Sequence, residues 1–232
     1  ITSIVEDKSG ILWICTTEGG LNRFDPKSEA FKSYVNDPDD PESLSGDFIW
    51  ILHIDKRDVL WAGTKSGGLN EMIDMRKGKF KRYVHNDKDT QGINHSSVHV
   101  IFEDHNGGFW IGTPGGLNLL DRETGKFLDF QQKRFFAQHR VIGILEDDHS
   151  RLWIMSEKSL IRFSPTTNEL KYFDGGNGMP INDFRIWANY KNRLGEMFVG
   201  GANGFAVFHP DSLKDNHYVP PIVIDKFERF NT

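Results

Sequence analysis

One short motif recurs five times along the 232 residues of the chain, and it limits the possible folds more than any other feature of the sequence. Each copy is centred on a large aromatic side chain that follows an Asp or Asn by six positions. Successive aromatic residues lie 48, 49, 43 and 45 positions apart. A repeat of this length is typical of folds in which every copy builds one structural unit. The aromatic anchors are Trp13, Trp61, Trp110, Trp153 and Phe198, and the residues six positions earlier are Asp7, Asp55, Asp104, Asp147 and Asn192.

Within a repeat, the local signals predict four short strands joined by tight turns. In the first repeat we expect strands over 1–6, 12–17, 21–24 and 31–34, with matching fourth strands at 80–83 and 127–130. Gly19 and Gly20 supply the backbone freedom of a tight hairpin, and Asp or Asn side chains cap the other turns. Apolar periodicity of helical length is missing, which disfavours a helical solenoid. The sequence therefore predicts an all-β fold, a β-propeller with one four-stranded antiparallel blade per repeat.

The repeats divide the chain into five predicted blades over 1–44, 45–93, 94–137, 138–181 and 182–216. The last blade is incomplete, because no fourth strand of the Phe-x-x-Tyr type follows Phe208. Residue 1 already begins a first strand, so no spare strand lies upstream to complete that blade. We therefore expect about five blades of a larger ring, followed at 217–232 by a linker and the first strand of the next module.

The aromatic anchors are expected to serve architecture. A large ring buried between neighbouring blades supplies apolar area, and truncation of such a ring is costly. The paired glycines are expected to tolerate Ala poorly wherever their φ is positive. This regularity defines the fold and does not by itself identify a ligand.

Composition excludes several classes of function. The 28 basic and 33 acidic residues give a net charge of −5, so the basic footprint of a nucleic-acid-binding protein is missing. The single cysteine excludes an internal disulfide. His95 and His99 would lie roughly 13 Å apart on an extended strand, too far to share one metal ion. The acidic stretch at 37–42 lacks the Gly and bidentate Glu of a calcium loop. We predict no metal, no cofactor and no membrane-spanning helix.

The repeat resembles that of the two-component regulator propeller family. The resemblance rests on the pattern Asp-x-x-Gly-x-Leu-Trp-Ile-Gly-Thr-x-x-Gly-Gly-Leu-Asn, followed by Phe-x-x-Tyr. The loops at 36–45 and 86–94 also look like spacers of that family, and YVPPIVIDKF at 218–227 resembles the start of the Ig-like domain that follows its propellers. Some copies depart from the pattern, with Cys15 and Met155 in the place of Gly, Ser156 in the place of Thr and Phe198 in the place of Trp.

The resemblance implies the sensor region of a hybrid two-component system that combines a histidine kinase with a response regulator. Members of the family typically carry two seven-bladed propellers and an Ig-like domain on the periplasmic side of the bacterial inner membrane, anchored by a membrane helix. They sense oligosaccharides and switch on genes for glycan use. By this analogy the chain belongs to the second propeller, and its partners are an oligosaccharide, the rest of the propeller, the Ig-like domain and a second copy of the receptor. The phosphotransfer chemistry would lie outside this segment.

Ligand contacts are best sought where the repeats disagree. Alignment on the Asp or Asn gives a core column of Ile1, Ile49, Val98, Val141 and Ile186, and the next column reads Thr2, Trp50, His99, Ile142 and Trp187. Innermost strands line the central channel of a propeller, so variable residues at their start would converge near its mouth. Aromatic faces stack on sugar rings, and Arg or His pairs with hydroxyl or acidic groups. The candidate ligand-binding residues are Trp50, His99, Arg140, Arg185 and Trp187, with Asp47 and Asp183 as acceptors on the rim. The alternative is that these side chains pack between blades or cap the rim.

Catalysis has no motif in the chain. Neither a Gly-x-Ser-x-Gly elbow, a His-Glu-x-x-His pair nor a phosphate-binding glycine loop occurs, so we predict no catalytic residue. Two alternatives to a sensor stay open, namely a propeller lyase or hydrolase acting on glycans and a protein-interaction scaffold. An enzyme would release new reducing or unsaturated ends, a sensor would bind saccharide without product, and a scaffold would have no affinity for saccharide.

Overall fold

The structure, a computed structural model, describes residues 1–173 and 183–213. In this part of the chain, nineteen strands form five antiparallel sheets, four with four strands and one with three. The strands of each sheet follow one another in chain order, so each repeat folds into its own meander. The prediction of an all-β propeller with four-stranded blades is confirmed.

The strand bounds place one repeat motif in each sheet. The first sheet contains β1 (Ser3–Glu6), β2 (Leu12–Cys15), β3 (Leu21–Asp25) and β4 (Ala30–Tyr34). The second contains β5 (Ile49–Ile54), β6 (Leu60–Thr64), β7 (Leu69–Asp74) and β8 (Lys79–Tyr83). The third contains β9 (Val100–Glu103), β10 (Phe109–Thr113), β11 (Gly116–Asp121) and β12 (Lys126–Leu128). The fourth contains β13 (Val141–Glu146), β14 (Leu152–Ser156), β15 (Leu160–Phe163) and β16 (Leu170–Phe173), and the fifth contains β17 (Phe184–Lys191), β18 (Met197–Gly201) and β19 (Gly204–Phe208).

The first strand of each sheet lies innermost. β1 contacts β5, β5 contacts β9, β9 contacts β13 and β13 contacts β17, so the sheets follow one another around an axis. Backbone hydrogen bonds join the sheets near that axis, for example from Val98 N to Thr64 O at 2.9 Å and from Gly68 N to Ser96 O at 2.7 Å. Gly68 has a φ of +81°, and a Cβ there would collide with the Tyr83 carbonyl. The second glycine of the Gly-Gly pair is therefore required by both its φ and its surroundings.

The tryptophan anchors pack between adjacent sheets. Trp13, Trp61 and Trp153 are fully buried, and Trp110 is buried almost as completely. Each contacts residues of the next sheet, such as Phe109 at 4.7 Å from Trp61 between ring centroids and Phe208 at 5.2 Å from Trp153. Phe198, the anchor of the fifth sheet, is only half-buried. The four Trp rings thus form the wedges between the five sheets.

The Asp that precedes each tryptophan bonds both the turn and the ring. Oδ2 accepts the indole N–H at 3.0 Å in Asp7–Trp13, 3.1 Å in Asp55–Trp61, 2.7 Å in Asp104–Trp110 and 2.8 Å in Asp147–Trp153. Oδ1 of the same carboxylate accepts one or two backbone N–H groups of its turn. The sequence predicted the caps but not the bonds to the indoles. In the fifth repeat Asn192 caps its turn in the same way, and there the anchor is Phe198, which has no N–H to donate.

A largely buried arginine, with 11% of its side chain exposed, joins the second and third sheets. Arg122 contacts Asp55 at 2.8 Å and Glu103 at 2.6 Å, and its guanidinium lies 4.7 Å from the ring centroid of Phe109. Both carboxylates are almost fully buried, with 0% and 4% of their side-chain surface exposed. This ion cluster holds the face of the propeller opposite the start of the inner strands, because Asp55 and Glu103 lie at the far ends of β5 and β9.

One short helix was not predicted. Helix α1 (Lys133–Phe136) lies between the third and fourth sheets. It fully buries Phe136 against Phe163, with ring centroids 5.5 Å apart. One turn of helix is too short to produce a periodic pattern in the sequence. The predicted strand at 127–130 also ends earlier, at Leu128, because Phe130 turns to pack against Trp110 at 5.5 Å.

The boundaries of the predicted repeats stay predictions. Residues 174–181 of the fourth repeat, 182 and 214–216 of the fifth, and the whole of the predicted module at 217–232 lie outside the described residues. A 3₁₀ helix (Pro210–Ser212) follows β19. In the described residues, no helix has both the length and the apolar character needed to cross a bilayer.

Candidate ligand-binding site at the axial entrance

β-Bulges in the inner strands, each with an extra residue that has no partner on the neighbouring strand, create the candidate site. In the second sheet Ile49 pairs with Thr64 and Ile51 with Gly63, so Trp50 has no partner in the ladder. The fourth sheet repeats this arrangement around Ile142, since Val141 pairs with Ser156 and Gly143 with Met155. A β-bulge of this kind bends the strand and redirects the side chain of the surplus residue. Trp50 thereby leaves the space between sheets and meets residues from other blades.

The fifth sheet has a longer bulge. Phe184 pairs with Gly201 and Asn189 with Val199, so residues 185–188 lie opposite a single residue of β18. Phe184, not Ile186, therefore takes the core position of Ile49 and Val141, and its backbone N–H bonds to the Glu157 carbonyl of the fourth sheet at 2.9 Å. The alignment of the repeats was wrong here. It counted back from Asn192 by the same number of positions as in the other repeats, but β17 is longer than the inner strands of the other sheets.

Three of the predicted residues meet at the axis. The Trp50 ring centroid lies 5.3 Å from that of Trp187 and 6.4 Å from that of His99, the latter edge to face. Trp187 Nε1 donates to the His99 carbonyl at 2.9 Å. These contacts join the second, third and fifth sheets, which are not all neighbours. Trp187 holds this position with a φ of +62°, a conformation that costs a non-glycine residue about 1–3 kcal/mol.

His99 is buried beneath the two tryptophans. Only 2% of its surface is exposed, and its Nε2 lies 3.1 Å from Ser97 Oγ. Burial, followed by the charges of Arg140 and His95, lowers the pKa of His99 to about 4. The ring is therefore neutral near pH 7. Its Nδ1 and the Nε1 of Trp50 are both buried and have no hydrogen-bond partner within the described residues.

The two predicted arginines lie on the exposed rim in ion pairs. Arg140 contacts Glu157 at 2.8 Å, and Arg185 contacts Asp183 at 3.3 Å. About half of each of these four side chains is exposed, so the pairs are weak and their groups can exchange partners. Asp47 has a structural contact instead, since its Oδ1 accepts the backbone N–H of Asn36 at 2.6 Å. The predicted residues thus divide into an axial cluster of Trp50, His99 and Trp187 and a charged rim.

A groove next to Arg140 was not predicted. It has a volume of about 440 Å³ and lies beside the connection that contains α1. His139 stacks on Phe135 at 4.5 Å and meets Tyr172 at 6.1 Å between ring centroids. The signal in the sequence was the spacer at 129–140, which lacks the Asn-Asp pattern of the spacers at 36–45 and 86–94. The groove is lined by Pro114, Ala137, Gln138, His139, Arg140, Ser156, Glu157, Lys158, Ser159 and Tyr172.

Metal chemistry has no support in this part of the chain. Among residues 1–173 and 183–213, no three His, Cys, Asp or Glu side chains are arranged to hold an ion. Cys15 is buried, and burial raises the pKa of its thiol. What the axis offers is aromatic surface, two buried ring nitrogens without a hydrogen-bond partner in the described residues and a charged rim, a combination suited to holding a polar organic ligand.

Fold and site together define a β-propeller segment with an aromatic axial entrance, and comparisons with known proteins assign the repeat. A sequence profile described as "Two component regulator propeller" matches residues 1–18 and 92–115. These two stretches match the repeat that the resemblance indicated. It is similar to "Histidine kinase P4" of Formosa agariphila, with 26% identity over 224 residues, 96% of this chain and 16% of that protein.

Solved structures agree with the fold. The extracellular domain of a hybrid two component system from B. thetaiotaomicron superposes with a TM-score of 0.76 at 27% identity, over 91% of this chain and 28% of that one. Virginiamycin B lyase from Staphylococcus aureus has a TM-score of 0.60 at 14% identity, over 88% of this chain and 68% of that one. The latter likeness shows the fold alone. This chain spans 16% of the length of that histidine kinase and 28% of that extracellular domain.

Proposed function

We propose that the chain is a ligand-sensing propeller segment in the extracytoplasmic region of a hybrid two-component sensor. In this proposal it binds an oligosaccharide at the axial entrance and relays occupancy to a histidine kinase elsewhere in the parent protein. The observation that carries the proposal is the contact of Trp50 with Trp187 at 5.3 Å, at the start of the inner strands. Aromatic rings with a polar N–H suit the mixed polar and apolar surface of a sugar.

Two further observations support a sensor. The similarity of this chain to the extracellular domain of a hybrid two component system extends over 91% of the chain at 27% identity. The axial residues also join sheets that are not neighbours, so a ligand seated there would contact several blades at once. A ligand changes the output of a receptor only through different affinities for its two states. Contacts that span blades provide such a difference if the blades shift relative to one another.

We also infer where the segment lies in its parent protein. The segment lies on the periplasmic side of the inner membrane as part of a membrane-anchored parent. It packs against further blades of its own propeller and an Ig-like domain, and the parent receptor forms a homodimer. Exposed apolar side chains on the outer faces of the first and fifth sheets support further blades, since Ile4 is 53% exposed and Phe205 is 70% exposed.

Binding and turnover measured on the same sample test the proposal. Titration of the chain with a panel of neutral and acidic oligosaccharides should show stoichiometric binding without new reducing or unsaturated ends. Trp50→Ala, Arg185→Ala and Trp187→Ala should each weaken binding. Tyr190→Ala is the matched control, because Tyr190 is an exposed aromatic near the far end of β17 that contacts Phe198.

Two results would overturn the proposal. Affinities unchanged in all three axial or rim variants that keep their fold would remove the site assignment. Release of products would replace the sensor by a propeller lyase or hydrolase.

A further inference from the structure

Trp50 is the exception among the six tryptophans of the chain. Four indoles donate to the Asp of their own repeat, and the fifth, that of Trp187, donates to the His99 carbonyl. The N–H of Trp50 is buried and has no partner in the described residues. Buried donors are nearly always paired, because an unpaired one costs about 1–3 kcal/mol. The exception therefore indicates an acceptor that the described residues do not supply.

His99 adds a second donor on the same side of the axis. When the Ser97 hydroxyl donates to Nε2, the ring hydrogen of the neutral imidazole resides on Nδ1. The Val141 carbonyl faces this ring, but Nδ1 does not reach hydrogen-bond geometry with any acceptor in the described residues. The ring of His99 stands edge to face with that of Trp50. With that tautomer, two N–H groups of one cluster have no acceptor in the part of the chain that the structure describes.

The charges around this cluster favour an anion. After burial, the charge of Arg140 is the next cause that lowers the pKa of His99. Arg185 lies in the bulge next to Trp187, and it and Arg140 have exposed carboxylate partners that a ligand can replace. N–H donors with arginines nearby favour a group that only accepts hydrogen bonds. Carboxylate and sulfate oxygens meet that requirement, whereas a hydroxyl must also donate.

We propose that the axial site binds the oxyanion of an acidic saccharide, with Trp50 Nε1–H and His99 Nδ1–H donating to a carboxylate or sulfate. The inference rests on the proposed function and narrows its ligand class. Trp187 covers the site, since it packs on Trp50 and donates one hydrogen bond to the His99 carbonyl. Its side chain must therefore move for the oxyanion to enter. Its unfavourable φ reduces the free energy needed to release it.

Affinity measurements with matched saccharides test the inference on the full chain. The probes are a trimer of galacturonic acid, a sulfated galactose trimer and a neutral galactose trimer. We expect at least one acidic trimer to bind about tenfold tighter than the neutral one, as a hydrogen bond to a charged group provides. Trp50→Phe keeps an aromatic ring but lacks the N–H, so it should abolish this preference. Trp110→Phe makes the same change at an anchor between sheets and should leave the preference intact.

Indole signals in ¹⁵N-correlated NMR spectra report the contact itself, since the Trp50 N–H should move on addition of the acidic trimer. Equal affinity for acidic and neutral trimers, or a preference that survives in Trp50→Phe, would overturn the inference and leave the proposed function standing. Failure of all three trimers to bind counts against the proposed function. In that case a saturable shift of the Trp50 signal with acetate or sulfate alone would still support an oxyanion site, and an unmoved signal would reject it.

Discussion

Trp61 Nε1 lies 3.1 Å from Oδ2 of Asp55, and Oδ1 of that carboxylate accepts the backbone N–H groups of Arg57 and Val59. One side chain therefore fixes both the turn between two strands and the orientation of the ring that packs between two sheets. The same arrangement occurs in the first, third and fourth repeats. In these four repeats, the spacing of six residues lets one carboxylate reach both its turn and the indole N–H.

Replacing one such carboxylate by an amide should destabilise the propeller. In Asp104→Asn the oxygen can still cap Gly108, but the amide NH₂ faces the N–H of Trp110. We expect a loss of about 1–3 kcal/mol in the free energy of unfolding, measured by urea denaturation. Asp25→Asn is the control, because that exposed carboxylate caps only its own turn. Equal losses in the two variants would contradict a role for the indole bond.

Truncation of an anchor should depend on the sheets around it. Trp61→Ala leaves a cavity between the second and third sheets and should lower the free energy of unfolding by about 3–5 kcal/mol. Phe198→Ala should cost clearly less, since that ring is only half-buried. Denaturant midpoints of the two variants check this order. A larger loss for Phe198→Ala would show that the tryptophans are not the principal wedges.

Removal of Arg122 should strongly lower the free energy of unfolding. The substitution Arg122→Ala leaves Glu103 buried without a cation and leaves Asp55 with only Arg57 at 3.4 Å, and breaking such a cluster typically costs about 3–5 kcal/mol. Arg57→Ala serves as the control, because Arg57 is more exposed and one of its partners is the exposed Glu123. We expect the control to change stability by about 0–1 kcal/mol. Thermal and urea unfolding of both variants would reveal the difference, and a neutral Arg122→Ala would refute it.

Stability should decline between pH 6.5 and 4 because of His99. An unfolded histidine takes up a proton near pH 6.5, whereas burial holds the pKa of folded His99 at about 4. The unfolded state therefore binds more protons in this window, so unfolding becomes easier as the pH falls. His99→Gln should flatten this part of the stability profile, measured by urea denaturation at a series of pH values. A profile unchanged by the substitution would assign the decline to other groups.

The outer faces of the first and fifth sheets should cause the chain to self-associate. Phe31 exposes 66% of its surface on one face and Phe205 exposes 70% on the other, an amount of apolar surface that sheets usually cover. Sedimentation velocity should therefore show a molecular mass that rises with concentration. Substitution of Phe31 and Phe205 by Lys should reduce the association. A monomer at every concentration would show that these faces do not attract one another.

Much of the fold could be predicted because it depends on periodic burial. A tryptophan that recurs with glycine and aspartate at fixed distances needs the same environment each time, so Trp13 and Trp153 could be placed between sheets without coordinates. The helix around Phe136 and the partners of Arg122 could not be placed. Both depend on which residues of another sheet come close, and that information is not periodic in the sequence.

The candidate site could be predicted only in part. The disagreement between repeats identified Trp50, His99 and Trp187, and the structure brings these three together. The place of Asp47 was not foreseen, since its bond to Asn36 depends on the fold of the preceding spacer. Nor was the length of the bulge in β17, because a strand with surplus residues and a regular strand have similar composition.

The bulge at 185–188 separates strand pairing within the blade from the presentation of side chains at the axis, which a regular strand would have to combine. On either side of it, Phe184 and Asn189 remain paired with β18, whatever the segment between them contains. Insertions, deletions or exchanges in that segment could therefore alter what reaches the axis without disturbing the registration of the blade. A single framework could in this way acquire new chemical preferences through changes confined to four residues.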